Sequence, residues 1–103
     1  MAIQTSQLTS TTVSTVYTSS GSSAITTVYL CNTSGSAVQA NVYAVASGGT
    51  ATAATQIYSQ LTIAGYDTYI MEMERLLYSD GDTLQVKSSA SNGLTVTVSY
   101  TGI

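Results

Sequence analysis

The residues of this chain that could take part in acid–base chemistry are few. Five carboxylates, two basic side chains and one cysteine are spread over 103 residues, and histidine is absent. Histidine is the usual general base of hydrolases and the commonest protein ligand of metals, so Ser-His, Cys-His and His-metal centres are excluded. Lys87, the single lysine, lies in an alternating segment. We interpret it as a solvated side chain and not as the activator of a serine.

Glu72 and Glu74 are two residues apart and would share one face of a strand. A carboxylate pair of this kind can act as acid and base or hold a cation. Side chains about 7 Å apart on an exposed strand, here followed by Arg75, more often form a charged edge that discourages unwanted strand pairing. We therefore interpret this cluster as a solvated edge.

Three further motifs have structural explanations. Asp80-Gly81-Asp82 matches a fragment of a calcium loop, but the remaining ligands are missing, so it predicts a turn. Asn32-Thr33-Ser34 matches the glycosylation sequon and predicts a hairpin turn. Cys31 has no basic neighbour that would lower its pKa and is interpreted as a small core residue. We expect no catalytic residue, cofactor-binding residue, cofactor or metal ligand, and no enzymatic activity.

Composition excludes two classes of partner. Only 7% of the residues are charged, the net charge is −3, and Ser and Thr make up about a third of the chain. Nucleic-acid binding needs clustered Lys and Arg, and anionic membranes attract polybasic patches, so we expect neither partner. No segment approaches the roughly 20 apolar residues of a membrane span, and the first residues lack the features of a signal peptide.

The apolar residues recur at period two, which predicts an all-β protein. Val38, Ala40, Val42 and Ala44 alternate with polar residues, as do Leu94, Val96, Val98 and Tyr100. Each pattern indicates a strand with one buried face. Including five less regular segments, strands are predicted over residues 13–18, 25–32, 37–45, 56–63, 67–74, 83–88 and 94–101.

Turn signals between these segments organise them into one domain. Residues 33–36 are expected to close a hairpin, residues 79–82 precede the sixth strand, and Ser91-Asn92-Gly93 joins the sixth strand to the seventh. About seven to eight short strands predict an antiparallel β-sandwich, jelly-roll or immunoglobulin-like, over residues 13–103, with a small barrel as the less favoured architecture. Residues 1–12 are predicted to be a flexible N-terminal arm outside the core.

The chain has eight tyrosines and no other aromatic residue. Tyrosine joins an apolar ring to a hydrogen-bonding hydroxyl, so it suits the rim of a core, a protein interface or, less often, a sugar-binding surface. The tyrosines are Tyr17, Tyr29, Tyr43, Tyr58, Tyr66, Tyr69, Tyr78 and Tyr100. Composition leaves all three roles open.

Several motifs resemble a group of small β-sandwich virion proteins of tailed phages, such as those of cyanobacteria. An apolar strand ends in Cys31-Asn32-Thr33, a later strand opens with Asp67-Thr68-Tyr69, and a Gly81-Asp82 turn precedes a terminal Val96-x-Val98-x-Tyr100 strand. The resemblance covers about three quarters of the chain, from residue 24 onward. Proteins of this kind are capsid decoration or cement proteins and neck or tail proteins.

The resemblance implies a virion structural protein that is assembled in the host cytoplasm. We favour a capsid decoration or cement protein that binds and stabilises the shell of the major capsid protein as a homo-oligomer, with a trimer preferred. One alternative is a neck or tail adaptor at the head–tail interface. An alternative of another class is a receptor- or glycan-binding module.

Overall fold

Eight β-strands and one short 3-10 helix make up the regular structure. The computed structural model describes residues 2–102, and the side chains of all of these except residue 2 and residues 72–77. The elements are β1 (Ala2–Leu8), β2 (Ser14–Thr18), β3 (Ser23–Asn32), β4 (Val38–Val45), the 3-10 helix η1 (Ala53–Thr55), β5 (Gln56–Ile63), β6 (Thr68–Tyr78), β7 (Thr83–Ser88) and β8 (Leu94–Gly102). Within residues 2–102, no helix is long and apolar enough to cross a membrane.

The strands form two antiparallel sheets of four strands each. The first sheet has the order β1-β8-β3-β6, and the second has the order β2-β7-β4-β5. The first half of the chain pairs with the second half in reverse order, β1 with β8, β2 with β7, β3 with β6 and β4 with β5. Pairing of β3 with β8 and of β4 with β7 rolls this long hairpin into a sandwich. The arrangement is an eight-stranded jelly roll, which confirms the predicted β-sandwich.

The core lies between the two sheets and follows the alternation of the sequence. Val28 and Leu30 of β3 face Val42 of β4 and Val86 of β7 across the sandwich, and each of these side chains is fully buried. Full burial of a Val or Leu side chain contributes about 1.5–3 kcal/mol. Leu94, Val96 and Val98 fill the same layer from β8.

The N-terminal segment differs from the sequence-based expectation. Ala2–Leu8 was predicted to belong to a flexible arm over residues 1–12, yet it forms β1 and pairs with β8 at seven successive positions. Leu8 is buried in the core. β1 lies at the edge of the sheet, so most of its residues remain solvent-facing and polar, and its pattern resembles that of an unstructured segment.

The connection after β3 also differs from the prediction. Residues 33–36 were expected to close a hairpin, but β3 belongs to the first sheet and β4 to the second, so this turn crosses between sheets. The same holds for Ser91-Asn92-Gly93 between β7 and β8, where Asn92 has the positive φ of 57° that its type favours. Turn chemistry reverses the chain in both cases but does not determine whether the flanking strands pair.

A buried asparagine holds the turn after β3 against the turn after β5. Asn32 is fully buried, and its Nδ2 lies 2.8 Å from the carbonyl oxygen of Ser36, 3.0 Å from that of Ile63 and 3.1 Å from that of Ala64. Its Oδ1 accepts hydrogen bonds from the backbone N–H and the hydroxyl of Ser34. One amide therefore satisfies backbone groups from both turns.

Asp80 and Asp82 join three loops at the other end of the sandwich. Asp80 Oδ1 accepts a hydrogen bond of 2.8 Å from the backbone N–H of Gly21. Asp82 accepts one of 2.9 Å from the N–H of Ser79 and another of 2.9 Å from the N–H of Ser47. These two donors lower the pKa of Asp82, because they stabilise its charged form.

Replacing the buried amide should weaken the fold strongly. Asn32→Ala leaves buried carbonyl oxygens without a donor, so we expect the free energy of unfolding to fall by about 2–4 kcal/mol. Urea denaturation followed by circular dichroism measures this. The matched control is Ser36→Ala in the same turn, whose exposed hydroxyl makes no hydrogen bond within the described residues and whose truncation should change stability by less than about 0.5 kcal/mol. Equal losses in the two variants would contradict the role assigned to Asn32.

The carboxylate of Asp82 should make stability depend on pH. A pKa that is lower in the folded state contributes stability that is complete above the unfolded value of 3.8 and is lost as the pH falls through the folded value. Asp82→Asn should therefore melt below the wild type at about pH 7, and the difference should shrink toward about pH 2. Thermal unfolding across this range tests it. Asp67→Asn is the control, because the Asp67 carboxylate accepts a hydrogen bond only from the adjacent Thr68 N–H among the described residues. A difference that does not vary with pH would refute the prediction.

Candidate functional site

The outward side of the first sheet is the strongest candidate for a docking surface. Residues directly opposite each other in antiparallel strands project to the same side of a sheet. Thr5, Thr97, Tyr29 and Ile70 are aligned in this way across β1, β8, β3 and β6. We call the described part of this surface the uncharged face; its residues are Ile3, Thr5, Gln7, Thr27, Tyr29, Cys31, Thr68, Ile70, Thr95, Thr97 and Ser99. The register of β6 places Glu72 opposite Thr27, so a charged residue adjoins this part of the surface.

The uncharged face combines hydroxyl groups with exposed apolar side chains. None of its described residues carries a charge. Ile3 is 66% exposed, Ile70 51% and Tyr29 40%. Thr and Ser lie between them on β8. The described part of this surface can be covered without desolvating an ion, which is the largest cost of burying polar surface.

Cys31 belongs to the uncharged face and not to the core. The sequence-based interpretation placed it in the core because it ends the apolar run Val28-Tyr29-Leu30-Cys31. Alternation along β3 buries Val28 and Leu30, so Tyr29 and Cys31 project outward. Cys31 remains a free thiol and is half-buried by its neighbours.

The outward side of the second sheet is polar and contains a shallow hollow of about 450 Å³. Lys87 of β7 and Asn41 of β4 are opposite each other within it. Gln60 of β5 lies beside them with a positive φ of 53°, and its backbone N–H donates to Asn41 Oδ1 over 2.6 Å. The rest of the lining is Thr11, Gln39, Ser88 and Ser89. The lining of the hollow therefore consists of the Lys87 ammonium group together with amide and hydroxyl groups, and it contains no aromatic ring.

The carboxylates singled out in the sequence do not converge on one site among the described residues. Asp80 and Asp82 accept hydrogen bonds from backbone N–H groups, and so act as the turn residues that their motif predicted. The side chains of Glu72, Glu74 and Arg75 lie outside the described residues, although their backbone belongs to β6. Within the described side chains, no group of three His, Cys, Asp or Glu residues lies close enough to hold a metal ion.

The Asn32-Thr33-Ser34 sequon is part of the turn after β3. The amide nitrogen that a glycan would modify is buried and bonded to backbone carbonyl groups. This motif therefore forms a structural turn, although it crosses between sheets instead of closing a hairpin.

The tyrosines divide between the interior and the surface. Tyr17 is buried and donates a hydrogen bond of 2.7 Å to Ser23 Oγ, and its ring packs 4.6 Å from that of Tyr100 between centroids. Tyr78 is buried beside them, and its hydroxyl has no hydrogen-bond partner among the described residues. Burial raises the pKa of Tyr78. These three residues form one end of the interior.

The remaining tyrosines reach the surface at separate places. Tyr58 of β5 and Tyr69 of β6 meet edge to face at one side of the sandwich, 6.1 Å apart between ring centroids. Tyr66 is 79% exposed at the turn after β5. Tyr29 and Tyr43 lie on the outward sides of opposite sheets. The tyrosines therefore do not form a continuous aromatic platform in the described part of the molecule.

Comparison with known proteins gives a similarity of fold. No protein-family model matches the chain, and no curated protein matches it. Among solved structures, a chain from the structure of infectious bursal disease virus, Gx strain, aligns with a TM-score of 0.50 and 13% sequence identity. The alignment covers 95% of this chain and 28% of the viral chain, so this chain spans less than a third of the length of that one. At this identity the likeness shows that the two chains share a β-sandwich fold.

Proposed function

We propose that this protein is a structural component of a virus particle, and specifically a decoration or cement protein that binds the major capsid protein of a tailed phage. The observation that carries the proposal is the uncharged face, which spans all four strands of the first sheet and has no charge among its described residues. The cores of protein interfaces are depleted of charged residues, as the described residues of this surface are, and Tyr29 at its centre is of a type enriched in such cores. Assembly would cover Ile3, Tyr29 and Ile70.

Two further observations support a role in a particle. The jelly roll is a recurrent fold of viral capsid domains, and the similar solved chain comes from a virus structure. The sequence motifs around Cys31, Asp67 and Val96 resemble those of phage virion proteins. Fold alone does not establish function, so the proposal depends on the chemistry of the face together with these similarities.

The mechanism is additive contact across many copies. Each copy would bury a moderate patch at a joint between capsid subunits, with hydroxyls pairing to the backbone or side chains of the shell. A copy that contacts two capsid subunits at once links them, so separating the subunits requires breaking both contacts. The shell would then resist internal pressure better than the undecorated shell.

Position in the particle separates decoration from a neck or tail adaptor. Quantitative mass spectrometry of purified virions, with the major capsid protein as reference, gives the copy number. Hundreds of copies per particle support decoration of the shell. A copy number of six or twelve per particle, as expected for a ring at the head–tail interface, would favour the adaptor. Absence from virions would overturn the structural role.

The polar hollow on the second sheet favours a second candidate, glycan or receptor binding. Its lysine and amides can hydrogen-bond to a saccharide, particularly one that carries a carboxylate. A glycan array probed with the wild type and with Lys87→Ala tests this candidate. Binding at low micromolar concentration that Lys87→Ala abolishes would favour it over the capsid role.

A charge on the uncharged face should block docking. Tyr29→Glu places a carboxylate at the centre of the face, so binding to empty capsids that lack this protein should weaken at least tenfold, a loss of about 1.4 kcal/mol. Co-sedimentation with such capsids measures the affinity.

The matched control is Tyr43→Glu, the same change on the outward side of the second sheet. It should bind like the wild type, and melting temperatures should show that both variants fold. Loss of binding in Tyr43→Glu alone would place the docking surface on the second sheet, and equal binding of all three proteins would contradict the proposed face.

A further inference from the structure

The two sheets have four edge strands, and an edge strand presents unpaired backbone groups to any strand that approaches it. β1 and β6 are the edges of the first sheet, and β2 and β5 are the edges of the second. Proteins protect such edges with short strands, bulges, charged residues or proline, since an unprotected edge pairs with other chains. Comparison of the four edges therefore shows where association is permitted.

Three of the edges carry these protective features. β2 has only five residues, and its pairing with β7 shifts between Thr15 and Tyr17. The pairing of β5 with β4 shifts at two places, and Gln60 interrupts β5 with a positive φ. β6 contains the sequence Glu72-Met73-Glu74-Arg75, and its pairing with β3 is irregular opposite residues 25–27. None of these three strands can therefore form a regular, uncharged ladder of seven residues along its free edge.

β1 carries none of these features. Its seven residues pair with β8 at seven successive positions without a register shift. The segment Ala2–Leu8 contains no charged residue and no proline. Its free side can therefore accept a further strand along its whole length.

We propose that this edge pairs with β1 of a second copy of the chain, in antiparallel orientation about a two-fold axis at Thr5. This register uses the whole strand, and it places Thr5 opposite Thr5 of the second copy and Ile3 opposite Gln7 of the second copy. A charged residue at the axis would face its own copy, whereas β1 has the uncharged Thr5 at this position. Two-fold pairing forms every hydrogen bond twice and is the commonest symmetry of homo-oligomers.

The contact joins the two first sheets into one continuous sheet of eight strands. It also extends the uncharged face across both copies and places a neighbouring chain beside Ile3, whose side chain is 66% exposed in the single copy. One pair of strands forms a smaller interface than those of permanent dimers, so the dimer should dissociate on dilution. The proposal predicts a dimer instead of the trimer favoured from the sequence, and it does not depend on a role in virions.

Charge pairing at the two-fold axis tests the proposal. Thr5→Lys and Thr5→Glu each place like charges opposite each other, so each variant alone should be monomeric at concentrations where the wild type is dimeric. An equimolar mixture places Lys opposite Glu and should restore the dimer. Sedimentation velocity over a dilution series measures the association, and melting temperatures verify that the variants fold. Thr68→Lys and Thr68→Glu, at the β6 edge of the same face, are the matched controls and should dimerise like the wild type.

The outcomes separate the possible occupants of the edge. A wild type that stays monomeric, a dimer that survives both Thr5 substitutions, or a mixture that fails to associate would overturn the pairing of two β1 strands. If the wild type is monomeric and Thr5→Lys loses capsid binding while Thr68→Lys, a charge on the same face at the other edge, retains it, the β1 edge receives a strand of another protein, which also overturns the proposal. Dimerisation that persists when capsid binding fails would refute the virion role and leave this inference intact.

Discussion

The structure depends on the burial of one apolar face of each sheet against the other. No disulfide can form within a chain that has one cysteine, and seven charged residues provide little electrostatic stabilisation. The layer formed by Val28, Leu30, Val42 and Val86 must therefore supply most of the stability. Because the inner faces of both sheets meet in this one layer, the outward faces are free to vary, and the described residues of the second include Lys87 whereas those of the first carry no charge.

Sequence patterns predicted the strands whose signal is local. Period-two alternation located β4 and β8 to within a residue or two, and β5 and β7 matched the predicted bounds. β1 was missed because Leu8 is its only fully buried side chain among those described, and because its partner β8 lies at the far end of the chain. The hydrogen bonds of Asn32 to Ile63 and Ala64 could not be predicted from local sequence either, since they join segments about 30 residues apart. Turn motifs predicted reversals of the chain but not the sheet that each following strand joins.

The sequence predicted that the protein exposes uncharged surface, but it did not predict where on the fold this surface lies. A chain rich in Ser and Thr and poor in charge must expose uncharged surface, which the sequence shows directly. Which residues share a face depends on the order β1-β8-β3-β6, and that order is a property of the whole fold. The outward position of Cys31 and the gathering of Lys87, Asn41 and Gln60 follow from strand register in the same way.

The pairing of β1 with β8 has a consequence for the order of folding. Residue 2 pairs with residue 100, so β1 has left the ribosome long before its partner β8 has been made. Contacts between such distant residues form slowly, because a long loop must close before they are gained. During synthesis the emerging chain therefore carries an unpaired, uncharged strand, and where many ribosomes translate one message, neighbouring nascent chains present the same strand to each other.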